Sequence, residues 1–201
     1  RGGWQDYWDW RLERNGEVQA SDGRYLTQVI TDETVDFIRR SGGEAEPFFL
    51  HVAYNAPHYP FQAPEETIER HLRPGRTRRV ATIYAMLEEM DRGVAAIRRQ
   101  LELEGCSART IVLFTTDNGP ELGGEGEESC DRFNAGLSGE KCLVLEGGIR
   151  VPLIVAWPGS LPAGARNDTF VHGTDLLPTL IDLAGLDRTG ALPLDGRSIA
   201  P

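Results

Sequence analysis

The chain has 201 residues, 40% of them hydrophobic, 26% charged and 8% aromatic, a mixture that excludes disordered and fibrous classes. Twenty-one Lys and Arg against 31 Asp and Glu give a net charge of −10, so the molecular field repels polyanions and nucleic acid is not an expected partner. No apolar run approaches the roughly 20 residues that cross a bilayer, and the three cysteines, Cys106, Cys130 and Cys142, form no C-x-x-C pair.

Residues 1–22 hold three of the four tryptophans among Gly and charged residues and read as an irregular segment whose aromatics pack against the rest of the chain. From Tyr25 to Arg40, Leu26, Val29, Ile30, Val35, Phe37 and Ile38 recur at helical spacing until Gly42-Gly43, predicting a helix with Thr31 or Asp32 as its cap. FFLHVAY, introduced by Pro47, is short and almost wholly apolar, the pattern of a strand buried on both faces. It runs into NAPHYPFQAP, where the prolines forbid helix and sheet alike.

Residues 77–104 carry the longest helical pattern, with Val80, Tyr84, Leu87, Met90, Val94, Ile97 and Leu101 as the predicted core stripe and Gly105 as its stop. Residues 111–114 predict a second buried strand, followed by DNGP and a long Gly-rich acidic loop. Residues 152–157 predict a third strand. TDLLPTLIDLAGL predicts a last helix capped by Thr174 or Asp175, with Leu176, Leu177, Leu180, Ile181 and Leu183 inward. The order of strands and helices is that of an α/β domain with a partly parallel sheet flanked by helices.

In open α/β sheets ligands bind beyond the carboxyl ends of the strands. The first predicted strand delivers His58 there, and the second delivers Asp117 and Asn118; Lys141 closes the long loop before the third. Two adjacent oxygen ligands suit a hard cation, the ammonium suits an anionic group, and the imidazole can move a proton near neutrality. Singly, each has a plainer reading: a loop histidine, an Asp-Asn-Gly turn and a solvated lysine. Their joint placement favours a site.

The stretches FFLHVAYNAPHYPFQAP, YAMLEEMDRGV, TIVLFTTDNGP, GLSGEK, LEGGIRVPLIVAWPG, HGTDLLPTLIDLAG and LDGRSIAP stand in the order found in the type I sulfatases of the alkaline phosphatase superfamily, and from Gly23 to Pro201 the chain resembles the middle and later part of their catalytic domain. The resemblance implies an alkaline-phosphatase-like fold, here an incomplete catalytic domain, and hydrolysis of sulfate esters by the intact parent. It implies that Asp117 and Asn118 are ligands of a divalent cation, usually Ca²⁺, that His58 protonates the leaving alcohol, and that Lys141 contacts the sulfate. The substrate it implies is a sulfated small molecule or saccharide. It places the parent in the periplasm, outside the cell or in a lysosome-like compartment, and leaves the oligomeric state open.

The family's formylglycine nucleophile arises from the Cys of C-x-P-S-R or C-x-A-x-R, and neither motif is present; Cys106-Ser107-Ala108-Arg109-Thr110 ends in Thr and lies directly before the second strand. The early aspartate pair that completes the metal site is missing, as is a smaller C-terminal subdomain. The chain therefore reads as a truncated piece, not expected to turn over substrate alone. Ser138 stands where many relatives carry Arg, and Glu140 adds an acid beside Lys141. The Arg73, Arg76, Arg78 and Arg79 cluster and the acidic loop 121–131 read as solvated faces. Two other readings are a phosphate or phosphonate ester hydrolase of the same superfamily and a non-catalytic relative.

Overall fold

The computed structural model describes residues 6–187 and 192–200. They fall into two compact units, one reaching Leu161 and one starting at Pro162.

The first unit opens on a hairpin, β1 (Arg11–Arg14) and β2 (Glu17–Ala20), paired antiparallel. This corrects the irregular reading of residues 1–22. Asn15 and Gly16 both take positive φ, 52° and 88°, as a two-residue hairpin turn of the Asn-Gly type requires. The strands are nearly all polar and exposed, so no apolar alternation announces them.

Helix α1 (Leu26–Ser41) starts well before Thr31 and Asp32, because Leu26, Thr27 and Val29 are buried and extend it upstream. Thr31 is an interior residue whose hydroxyl donates to Thr27 O at 2.8 Å, as threonines do within helices. The predicted strand at FFLHVAY carries no regular structure, since no described strand lies beside it. A short helix, α2 (Glu65–His71), follows Pro64.

Helix α3 (Arg78–Leu103) is the spine of the unit. Thr77 caps it by accepting from Val80 N, and Gly105 ends it at φ +64°. Val80 and Leu101 of the predicted stripe are buried, but between them the buried face is rotated: Ala81, Ile83, Ala85, Met86, Glu89 and Gly93 are inside, whereas Leu87, Met90 and Val94 are only half-buried. Small residues win this face because α1 and α2 pack closely there; a Cβ on Gly93 would collide with the hydroxyls of Thr31 and Tyr54. Glu89, 4% exposed, accepts from Thr67 Oγ1 of α2 (2.6 Å), Arg92 of α3 (3.0 Å) and Gln28 of α1 (3.4 Å). A carboxylate at this depth is tolerated because its oxygens are hydrogen-bonded.

Strands β3 (Val112–Thr115) and β4 (Leu153–Ala156) stand within the predicted second and third strands, give or take a residue. They pair antiparallel, Val112 opposite Ala156 and Thr115 opposite Leu153, and no parallel pair occurs among the described residues. The α/β class holds while the parallel detail is corrected. A one-turn helix, α4 (Glu146–Ile149), precedes β4.

In the second unit a 3₁₀ turn (Gly173–Asp175) leads into α5 (Leu176–Leu183). The cap is a reciprocal pair: His172 Nδ1 accepts from Thr174 N, and Asp175 accepts from His172 N at 2.9 Å. Backbone N–H groups of His172 and Arg197 hold the Asp175 carboxyl below its usual range. Leu177, expected inside, is exposed, and Pro178 is the buried residue of α5.

Candidate functional site

His58 sits on the exposed, proline-stiffened loop that follows residues 48–54. Its N–H donates to Asn55 O at 2.8 Å, closing a tight turn, and its Nδ1 lies 2.8 Å from Tyr59 O. A carbonyl only accepts, so in this geometry Nδ1 carries a proton. The loop is anchored in the core through Tyr25, whose hydroxyl donates to Gln62 O at 2.8 Å.

Asp117 and Asn118 follow β3 directly, as expected, with Asp117 exposed and Asn118 half-buried. Thr116 Oγ1 lies 3.3 Å from Asp117 Oδ1. The Asn118 amide nitrogen donates to Gly119 O at 2.8 Å, which turns its Oδ1 into the atom left for another partner. Two backbone bonds fold the later loop against this turn: Gly119 N donates to Gly148 O and Lys141 N to Pro120 O, each at 2.8 Å. A Cβ on Gly119 would strike Gly147 O, so only glycine permits the approach.

Lys141 is thereby brought to within a few residues of the Asp117-Asn118 pair by main chain alone. Glu140 does not neutralise it; the carboxylate accepts from Leu122 N at 2.6 Å and ties down the start of the acidic loop. Among the described residues neither Asp117 nor Lys141 has an ion-pair partner. Asp117, Asn118 and Lys141 thus belong to one glycine-built assembly, and His58 is carried by another set of elements.

As a cation site the pair is suitable in kind and partial in number. A carboxylate and an amide oxygen on one turn are hard oxygen donors, whereas calcium takes six to eight. No group of three His, Cys, Asp or Glu side chains is poised for a metal among the described residues, so the rest of a coordination shell has to come from other ligands.

Cys106 is excluded as a reacting group by its surroundings. It is 1% exposed, packs with Ile38 and Leu101, and its thiol lies 3.5 Å from Leu101 O. The basic cluster is largely spoken for: Arg78 pairs with Glu65 and Glu69, Arg79 with Glu128, and the Arg76 guanidinium lies 4.6 Å over the Tyr84 ring. Sequence reasoning missed Gly147-Gly148 as site-building residues, although adjacent glycines before a strand are a signal of close backbone approach.

The family model described as Sulfatase matches residues 2–186. The chain belongs to the sulfatase family. It is 32% identical to the uncharacterized sulfatase YdeN of Escherichia coli K12 over 191 residues, covering 94% of this chain and 33% of that one. It is 34% identical to N-acetylgalactosamine-6-sulfatase of Mus musculus over 177 residues, 88% of this chain and 32% of the relative. The solved structure of Ps i-CgsB in complex with k-i-k-neocarrahexaose superposes with a TM-score of 0.81 at 32% identity, covering 95% of this chain and 41% of that chain. The chain spans about a third of the length of these two curated relatives. Its fold is that of the sulfatases, as the alkaline-phosphatase-like reading expects.

Proposed function

We propose that this chain carries the cation-holding and leaving-group side of a sulfate ester hydrolase site whose substrate is a sulfated saccharide. The observation that supports it most is the pair of main-chain bonds, Lys141 N to Pro120 O and Gly119 N to Gly148 O, which lays the backbone of Lys141 against the turn that carries the Asp117 carboxylate and the Asn118 amide oxygen. That set can receive a cation and the anionic group it neutralises.

In this reading Asp117 and Asn118 hold a divalent cation, calcium by family resemblance, which when bound withdraws charge from the sulfate group. Lys141 contacts a sulfate oxygen and steadies the charge that develops there. His58 acts as the imidazolium, protonated on both ring nitrogens: it gives the Nε2 proton to the departing alcohol oxygen and is left as the neutral Nδ1–H tautomer, with Nδ1 still on Tyr59 O. The saccharide class draws on the neocarrahexaose in the Ps i-CgsB complex and on the name of the murine relative. No C-x-P-S-R or C-x-A-x-R sequence is present, so the chain itself contributes no formylglycine nucleophile.

NMR of the whole chain tests the reading. Calcium is expected to shift the amides of Asp117, Asn118 and Gly119. An aryl sulfate added afterwards is expected to move Lys141 and His58, with no hydrolysis above background. A chain whose 117–119 amides ignore calcium would sink the proposal. So would calcium-dependent turnover that disappears in Cys106→Ala.

A further inference from the structure

The segment before α1, given no role by the sequence, supplies the residue that holds the His58 turn from below. Tyr7 is fully buried, its ring stacked on Tyr25 at 5.5 Å between centroids. Its N–H donates to Gln62 Oε1 at 2.9 Å, and Gln62 Nε2 in turn donates to Asp6 at 2.8 Å. The Tyr7 hydroxyl lies 2.8 Å from Asn55 O and 3.0 Å from His58 O. These are the residues whose mutual hydrogen bond closes the turn, so one phenol proton is shared between its two ends.

The His58 carbonyl belongs to the peptide plane that joins His58 to Tyr59, and the next carbonyl along the chain is the one that receives Nδ1–H. Fixing that plane removes one of the backbone freedoms that separate the ring from Tyr59 O and leaves the two torsions of Tyr59. We infer that Tyr7 is a positioning residue for His58: by gripping the Asn55 and His58 carbonyls it holds the imidazole in its Nδ1–H tautomer with Nε2 as the proton-exchanging atom. Burial pushes the Tyr7 phenol well above its ordinary pKa, so it remains a donor across the neutral range. The functional weight of the inference rests on His58 being the proton donor; its structural content does not, and can be measured without substrate.

The test is ring ¹⁵N spectroscopy of the labelled whole chain at a pH where the imidazoles are neutral, with His51, His71 and His172 as internal references. Tyr7→Phe keeps the stacked ring and removes only the hydroxyl. Tyr25→Phe is the control, deleting a neighbouring hydroxyl that serves Gln62 O instead. In Tyr7→Phe the ratio of Nδ1–H to Nε2–H tautomers at His58 is expected to fall roughly threefold to tenfold, the range of one lost hydrogen bond. In Tyr25→Phe it is expected to stay at the wild-type value. An unchanged ratio in Tyr7→Phe overturns the inference, and so does an equal change in both variants, which would mean general loosening. If Tyr7→Phe does not fold, 4-fluorophenylalanine at position 7, which fills the space of the hydroxyl without donating a proton, takes its place with the same tautomer ratio as readout: a fall supports the inference, and an unchanged ratio overturns it. Failure of aryl sulfate to bind, with the tautomer shift intact, would count against the proposed function alone.

Discussion

The two halves of the candidate site are built from different materials. His58 rides on a loop fastened to a side-chain core, where Tyr7, Tyr25, Ala56, Ala81, Ala85 and Met86 exclude water. Asp117 and Lys141 are placed by peptide groups: glycines let two stretches of main chain touch, and few side chains around them are buried. The first half depends on packing density and the second on the absence of Cβ atoms. Substitutions should therefore separate them, losing stability in one and ligand geometry in the other.

The largest effect is expected from Met86→Ala, since Met86 is wholly buried in the cluster under the His58 loop. Urea unfolding should show a loss of about 3 kcal/mol, while the calcium response at 117–119, read below the transition, stays. Loss of that response would mean the halves are not separable.

Gly119→Ala puts a Cβ against Gly147 O and is expected to cost about 2 kcal/mol, with the calcium response abolished. Wild-type calcium shifts in this variant would show that the close approach is dispensable. Asp117→Asn, at an exposed position, should leave the unfolding midpoint unchanged and weaken calcium binding by roughly tenfold or more, because affinity follows ligand charge. Titration calorimetry checks it, and an equal affinity would remove Asp117 from the proposed cation site.

The smallest effect concerns the ion network between α2 and α3. Burial would raise the Glu88 pKa, yet hydrogen bonds from Arg70 and His71 and the charges of Arg70 and Arg92 outweigh it, so the carboxyl lies below its ordinary 4.5 in the folded chain. Its contribution is therefore complete above 4.5 and disappears as pH falls through the lower folded value. Glu88→Gln should cost about 1 kcal/mol at pH 7 and flatten the stability profile below pH 4.5, as followed by chemical unfolding at several pH values. An unaltered acid limb would reassign that stability elsewhere.

Where a local rule acts by itself, the sequence was readable. Thr77 and Gly105 delimit α3, and the apolar runs after Thr110 and Val151 are strands that end where the polar residues begin. Asp117 and Asn118 follow β3 for that reason. What stayed hidden depends on a partner surface. Val80 and Leu101 mark the ends of the α3 stripe as read, but its middle is misphased because alanines and Gly93 are buried there, and periodicity weighs large residues over small ones. FFLHVAY has strand composition but no described strand beside it, and the polar β1–β2 hairpin was announced only by Asn15-Gly16. Tyr7 was illegible as the proposed clamp because its acceptors are main-chain carbonyls 48 and 51 residues on, which no side-chain pattern records.

The Pro120 to Lys141 contact closes a loop at its neck, with Glu140 bound to Leu122 N just above it. Length added beyond a closed neck is felt only through chain-closure entropy, about 0.6 kcal/mol for each doubling. The exposed turn at Ala135-Gly136, both residues at positive φ, is thus a graft point: a foreign peptide or a fluorescent reporter placed there would extend outward while Asp117, Asn118 and Lys141 kept their register.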